Sequence, residues 1–170
     1  MRPMGGGLMR TKLIIASTLC LAFLLPVSAA PVLADQSFHT TRLPLSLTAA
    51  GVAAGQPTLR AGQVVDIHAN GPTVFAIEQY LLNGAEPNTE YQVFLSFYWD
   101  TSCASASDYD FVLPGVTLTT DAHGDAYGQA RNTPADIPPI LDNTDWGIVW
   151  TFVAGGVPAY STACAKVHID

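Results

Sequence analysis

Fourteen acidic residues and four histidines are the side chains of this sequence that are best suited to chemistry. Protein sites for copper or zinc use close ligand sets such as His-x-His, whereas His39, His68, His123 and His168 are widely spaced. The sequence therefore predicts no metal site and no cofactor. Two of the carboxyl groups could act as a glycosidase pair, but the sequence does not rank the possible pairs.

The motifs that mark common nucleophiles and calcium loops are also missing. No serine lies in a Gly-x-Ser-x-Gly elbow, the strained turn that exposes a hydrolase nucleophile. Residues 121–125 depart from the calcium-loop pattern because His123 and Gly124 interrupt it, so we predict a turn there. The sequence therefore predicts no catalytic residue.

The N-terminus has the three-part pattern of a secretory signal peptide. Basic residues precede an apolar run of 13 residues, 13–25, and small residues follow up to Ala34. This run is shorter than the roughly 20 residues that a transmembrane helix needs. We predict a signal helix in residues 1–34 that is cleaved between Ala34 and Asp35, with Ala29 and Ala30 as alternative cleavage sites. The remainder would be secreted and would not insert into a membrane.

The chain after residue 34 is strongly acidic. Four basic residues stand there against 14 acidic ones, which gives a net charge of −10. Such a surface repels phosphate backbones, and the sequence contains no basic patch interleaved with aromatic residues. We therefore exclude nucleic acid as a partner. Residues 35–170 are one domain's length.

Two cysteines, Cys103 and Cys164, follow residue 34. Thiols of exported proteins oxidise, so we predict a disulfide that closes a loop of about 60 residues and stabilises the fold by roughly 4 kcal/mol. A pair of metal ligands is the alternative, but Cys-x-x-Cys spacing is absent.

The polar loop around Cys103 contains the binding residues that we predict, which are Asp100, Asp108, Tyr109 and Asp110.

Residues 35–170 show the period-two alternation that is typical of strands. Two central strands are predicted at 74–82 and 91–99, joined by a turn rich in Asn, Gly and Pro. Further strands are predicted at 43–47, 64–69, 111–120, 126–131, 146–153 and 160–169. No segment after residue 35 has helical periodicity, and residues 49–57 are predicted to form a loop. Pro44 cannot donate to a ladder, which favours an edge position for its strand.

The alternation also predicts which side chains face the core. In the strand at 64–69 we expect Val65 and Ile67 to point inward and Asp66 and His68 to point outward. In the strand at 91–99 the inward row would run from Tyr91 at every second residue to Trp99, and in the last strand from Ala163 to Ile169.

The string AEPNTEYQV, residues 85–93, resembles the tyrosine-corner signature of fibronectin type III domains. Pro87, Thr89 and Tyr91 fit the spacing, whereas Ala85 stands where that family has leucine. The resemblance implies an antiparallel immunoglobulin-like β-sandwich of about 7 to 9 strands, in which the Tyr91 hydroxyl bonds the backbone just upstream. The 79 residues after Tyr91 exceed the family's pattern, so the strand order can differ. An ordinary proline turn is the alternative interpretation.

These features together predict an exported, non-catalytic β-sandwich module that binds an extracellular protein, a glycan or a cell surface. The alternative is a small secreted hydrolase or metal-dependent enzyme whose carboxyl groups converge from loops. Fold class does not decide between them. A cavity with two buried carboxylates, or a histidine that meets an aspartate, would favour the enzyme.

Overall fold

β-Strands form nearly all of the regular structure in the computed structural model, which describes residues 39–68, 76–104, 111–136, 138–139 and 144–169. The described residues belong to one unit, Asp35–Asp170. The predicted signal segment 1–34 and its cleavage site at Ala34 and Asp35 lie outside the described residues. So do three of the predicted binding residues, Asp108, Tyr109 and Asp110.

Nine strands, one short α-helix and one 3₁₀ turn lie within the described residues. The strands are β1 (His39–Leu47), β2 (Ala61–His68), β3 (Ala76–Asn83), β4 (Glu90–Tyr98), β5 (Phe111–Thr119), β6 (Ala126–Asn132), β7 (Thr144–Ala154), β8 (Val157–Thr162) and β9 (Ala165–Ile169). The helix is α1 (Ala49–Ala53), and the 3₁₀ turn is Pro134–Asp136. Among these elements no helix has the length and apolar character needed to cross a bilayer.

The strands pair antiparallel in one continuous path, β5-β4-β7-β8-β1-β2-β3-β6, with β9 paired to β7. The two ends of this path come together, since a Cβ on Gly128 of β6 would collide with the Leu118 side chain of β5. The sheet is therefore a nearly closed, barrel-like structure. The prediction of an all-β antiparallel fold is confirmed, and the strand number lies within the predicted range.

β1 divides its pairing between two neighbours, which explains Pro44. Residues 39–44 pair with β2, and Leu45, Ser46 and Leu47 pair with β8. Pro44 lies at the last position paired with β2, where the ladder changes partner. Within the described pairings Pro44 therefore has a ladder on one side only, so its missing N–H interrupts no second ladder, which agrees with the predicted edge position although β1 as a whole has two neighbours.

β2 faces the core in the opposite phase to the one predicted. Val64 and Asp66 are buried, whereas Val65 and Ile67 are only half-buried. Val65 and Ile67 form the more apolar phase of this strand, so the local alternation favoured the phase that is not buried. Pairing with β3, which sets Val64 opposite Tyr80, selects the observed phase.

The ends of two other strands also differ from the prediction. Trp99 is 59% exposed rather than buried, because β4 ends at Tyr98 and Trp99 packs edge-on against Trp146, ring centroids 4.7 Å apart. The predicted strand 160–169 is two strands, since β8 and β9 pair with opposite halves of β7. The break at Ala163 and Cys164 shifts the buried phase, and Thr162 is buried while Ala163 is exposed.

α1 occupies part of the predicted loop 49–57. Thr48 caps it, since its side chain accepts the Gly51 N–H at 2.9 Å. Gly51 is buried, and a Cβ there would collide with the Ala159 carbonyl oxygen of β8. One turn of helix is too short to show periodicity in a sequence, so α1 depends on this cap and on close contact with β8.

Candidate functional site

Two carboxyl groups face the interior of the barrel side by side. Asp66 of β2 and Glu78 of β3 are directly paired across the antiparallel ladder, and each residue is 2% exposed. Opposite residues on one face of a sheet have Cβ atoms about 4.5–5.5 Å apart. Burial of charged groups is costly unless they are paired or hydrogen-bonded, so the partners of these two groups decide what the site can do.

Both oxygens of Glu78 have partners within the protein. The Tyr80 hydroxyl donates to Oε2, and the Trp150 indole Nε1 donates to Oε1 at 3.1 Å. Burial raises the pKa of Glu78 to about 7, and the nearby charge of Asp66 acts in the same direction. The two hydrogen bonds and the proximity of His68 oppose this rise. Burial also raises the pKa of Tyr80, which therefore stays a donor.

Asp66 has a partner on one oxygen only. Its Oδ2 lies 2.8 Å from Nε2 of His68, which is on the same face of β2 because the two residues are two positions apart. The side chains of His68 and Asp66 are 14% and 3% exposed. Asp66 Oδ1 is buried and has no hydrogen-bond partner among the described residues. A buried acceptor without a partner costs about 1–3 kcal/mol.

A cavity of about 70 Å³ lies against these carboxyl groups, and we call it the acid cavity. Asp66, His68, Glu78 and Trp150 line its polar side, together with Asn132 and Asp136. Its apolar walls are Ala76, Leu95, Phe97, Leu113, Pro114, Gly115, Ile148 and Val167. A cavity volume of roughly 10–15 Å³ is enough for one water, so this cavity has room for a ligand of a few heavy atoms.

The acid cavity lies at one end of the barrel. Strand pairs Ala76–Asn132 and Phe97–Phe111 mark this end, so the β2–β3, β4–β5 and β6–β7 connections all begin and finish there. The turn at Asp121 lies at the other end, where Asn88 N donates to the Asp121 carbonyl oxygen at 3.0 Å. The polar loop that contains Asp100 therefore begins at the end that holds the cavity, and the Asp121 turn does not.

No known protein family, curated protein or solved structure matches this chain. What the acid cavity does must therefore follow from its own chemistry. Within the described residues no three His, Cys, Asp or Glu side chains are arranged to hold a metal ion. The acid cavity offers hydrogen-bond acceptors and negative charge instead.

The predicted binding residue Asp100 does not join the acid cavity. It is exposed, and its Oδ1 accepts hydrogen bonds from Ser102 N at 2.9 Å, Ser102 Oγ at 2.6 Å and Ala104 N at 3.2 Å. These contacts make Asp100 the cap of a local turn. The turn leads to Cys103, which is bonded to Cys164 with the two Cα atoms 5.9 Å apart, the pairing that the sequence predicts.

The predicted corner residues lie at the end opposite the acid cavity. The buried Tyr91 hydroxyl accepts the Glu86 N–H at 3.2 Å and donates to Gln56 Oε1 at 2.8 Å. Thr89 Oγ1 donates to the Pro87 carbonyl oxygen at 3.0 Å. The Glu86 contact is the upstream backbone bond that the resemblance implies. Burial raises the pKa of Tyr91, and its bonds tie two connections together.

Sequence reasoning missed Asp66, His68, Glu78 and Trp150 as a group. One signal was present, since Glu78 interrupts the inward row formed by Ala76, Tyr80 and Leu82. A carboxylate at an inward position of a central strand indicates a buried polar site. Trp150 lies in the strand predicted at 146–153, and nothing local linked it to Glu78, which is 72 positions away.

Proposed function

We propose that this chain is an exported, non-catalytic module that binds a small ligand in the acid cavity. Three of the four carboxyl oxygens of Asp66 and Glu78 have protein partners, and Asp66 Oδ1 has none within the part of the chain that the structure describes. This single acceptor carries the proposal, because a bound donor would remove the cost of burying it without a partner.

The partners of Glu78 favour binding over catalysis. A general acid or base must reach the proton that it transfers, but both oxygens of Glu78 are held by Tyr80 and Trp150. Among the described residues that line the acid cavity there is also no Ser, Thr or Cys to act as a nucleophile. The site therefore resembles a fixed set of acceptors.

A small secreted enzyme is the second candidate, and two observations favour it. The cavity holds two buried carboxyl groups, and His68 meets Asp66 there, which is the convergence expected of an enzyme. The pKa of Glu78, about 7, also suits an acid or base that works near neutral pH. The metal-dependent form of this alternative has less support, because the described residues offer no set of three metal ligands.

The same proposal includes secretion of the protein, an immunoglobulin-like sandwich arrangement of its strands and an extracellular protein or glycan as a larger partner. The pattern in residues 1–34 supports secretion. The division of β1 between β2 and β8 is consistent with two layers of an immunoglobulin-like sandwich that share this strand. An extracellular protein or glycan would contact an outer groove of about 670 Å³ near the disulfide, where the described lining residues carry no charge. That groove includes Phe94, Tyr98 and Ser161.

A fragment screen by NMR tests the binding proposal. We expect that some fragments of a few heavy atoms, charged or neutral, shift the NMR signals of residues in the cavity walls. The variant Ala76→Val, which adds volume at a buried wall residue, should weaken their binding. Fragments that bind only the outer groove, or equal binding to the variant, would contradict the proposal.

The enzyme candidate has its own test. Hydrolysis of a small ester such as ethyl acetate can be followed by NMR with the protein and with Glu78→Gln. The binding proposal expects the same background rate in both. A rate above background that disappears in Glu78→Gln would favour the enzyme.

A further inference from the structure

We infer that the ligand of the acid cavity is a short-chain organic ammonium ion, whose charged head lies at Asp66 and whose alkyl stem lies along the apolar walls. This inference rests on the proposed binding function and names the class of ligand.

The charges around the acid cavity favour a cation. Asp66, Glu78 and Asp136 contribute carboxyl groups, while His68 is the one basic side chain among the described lining residues. His68 is already engaged with Asp66 Oδ2 at 2.8 Å. Asp66 therefore lines a cavity that has acceptors, its Oδ1 has no hydrogen-bond partner among the described residues, and the one basic side chain of the described lining is already engaged.

A donor group on the ligand matches the unpartnered oxygen. An ammonium head carries three N–H donors, and one of them can bond Asp66 Oδ1. A hydrogen bond between charged groups contributes more to binding than one between neutral groups. A neutral alcohol would supply a donor without the charge, and an anion would be repelled by both carboxyl groups.

The remaining walls determine the rest of the ligand. Leu95, Phe97, Ile148 and Val167 present apolar surface to the cavity, which suits an alkyl stem and offers no ligands to a bare metal ion. The cavity volume of about 70 Å³ limits the stem to a few carbon atoms. An ammonium ion with a short alkyl chain satisfies the charge, the donor requirement and the size together.

The Trp150 indole provides a reporter for the test. Its N–H donates to Glu78 inside the cavity, whereas Trp146 Nε1 donates to Thr144 Oγ1 at 2.6 Å, outside the cavity lining. The protein has three tryptophans, so a sample labelled with ¹⁵N at tryptophan gives three indole signals. The variant Trp150→Phe assigns the cavity signal.

The experiment titrates the purified protein with butylammonium chloride, with butanol and sodium butyrate as neutral and anionic probes. We expect butylammonium to shift the Trp150 indole signal saturably and to bind at least about tenfold more tightly than the other two probes, the ratio that 1.4 kcal/mol gives. The variant Asp66→Asn, which removes the charge, should weaken binding by a similar factor. The exposed Asp145, outside the cavity lining, provides the control variant Asp145→Asn, which should bind as the unchanged protein does.

The outcomes separate this inference from the proposed function. Butanol that binds as tightly as butylammonium would overturn the ammonium class and leave a neutral ligand in the same cavity. Unchanged binding in Asp66→Asn would also overturn it. If no probe shifts the Trp150 signal, the inference fails, and the wider fragment screen with Ala76→Val then decides the binding function separately. The comparison of probes uses the unchanged protein, so it stands even if Asp66→Asn does not fold.

Discussion

Asp66 and Glu78 are direct partners across the β2–β3 ladder, and both carboxyl groups are buried. Like charges placed opposite each other in a sheet destabilise it, so this pair is tolerated only through protonation or specific partners. Tyr80 and Trp150 bind Glu78, and His68 binds Asp66. The protonation of Glu78 is therefore linked to folding.

We predict that the protein loses stability as the pH rises from about 4.5 to 7. The pKa of Glu78 rises from 4.5 to about 7 in the folded state, so the folded state binds more protons than the unfolded state within this range. The free energy of unfolding then falls with pH, by about 3 kcal/mol in total for this group. Urea denaturation at a series of pH values measures the slope.

The variant Glu78→Gln is the control for this prediction. Its side chain cannot ionise, so the decrease between pH 4.5 and 7 should become shallower. Asp66, His68 and Asp136 face the same cavity and remain in the variant, so any slope that they cause is retained. Equal slopes in the two proteins would contradict the assignment to Glu78.

We predict that Tyr91→Phe destabilises the protein by about 0.5–3 kcal/mol, because it removes the bonds to Glu86 N and Gln56. Tyr127 is 64% exposed, so Tyr127→Phe should change stability by less than about 0.5 kcal/mol. Tyr127 is a better control than Tyr98, which is buried. Denaturant melts of the two variants should separate clearly. An unchanged free energy of unfolding in Tyr91→Phe would contradict a structural role for the corner.

We predict that Trp150→Ala destabilises the protein by roughly 3–5 kcal/mol, as truncation of a large core aromatic does. Trp150 is 1% exposed and also donates to Glu78, whereas Trp99 is 59% exposed. Trp99→Ala should therefore cost much less, about 1 kcal/mol. Thermal and denaturant unfolding of both variants measures the difference. Similar losses of stability in the two variants would mean that burial is not the main source of the contribution of Trp150 to stability.

We predict that Gly124→Ala is much more damaging than Gly55→Ala. The two glycines have nearly equal positive φ angles, 77° and 76°, but a Cβ on Gly124 would collide with the Ala85 carbonyl oxygen while Gly55 has open space. Both variants incur the cost of a left-handed residue, roughly 1 kcal/mol. Only Gly124→Ala must also displace backbone, and we expect at least about 2 kcal/mol more loss. Equal losses in chemical denaturation would contradict the close approach.

The strand positions were largely predictable because period-two alternation is a local property. The inward row of β4 follows the predicted phase, with Tyr91, Val93, Leu95 and Phe97 buried. Alternation failed in β2, where the more apolar phase is not the buried one, and where the chain broke, as at Ala163. It also could not detect α1, which is a single turn.

The candidate site was not predictable from local pattern. Asp66 was predicted to face solvent, because a carboxylate between Val65 and Ile67 is typical of the polar face of an amphipathic strand. Its burial follows from register, which places it opposite Glu78. The predicted loop residue Asp100 caps a turn instead, because its backbone neighbours offer nearer donors than any distant ligand.

The sequence by itself determined that this chain is an antiparallel all-β protein and that Cys103 and Cys164 form a pair, since alternation and cysteine count are properties of the chain alone. Only the tertiary structure decided which face of β2 turns inward and which side chains meet there. The physical reason is that a shift of one residue exchanges the two faces of a strand, and the register of β2 against β3 fixes that phase. The acid cavity exists because this register buries Asp66 beside Glu78, to which Trp150 donates a hydrogen bond.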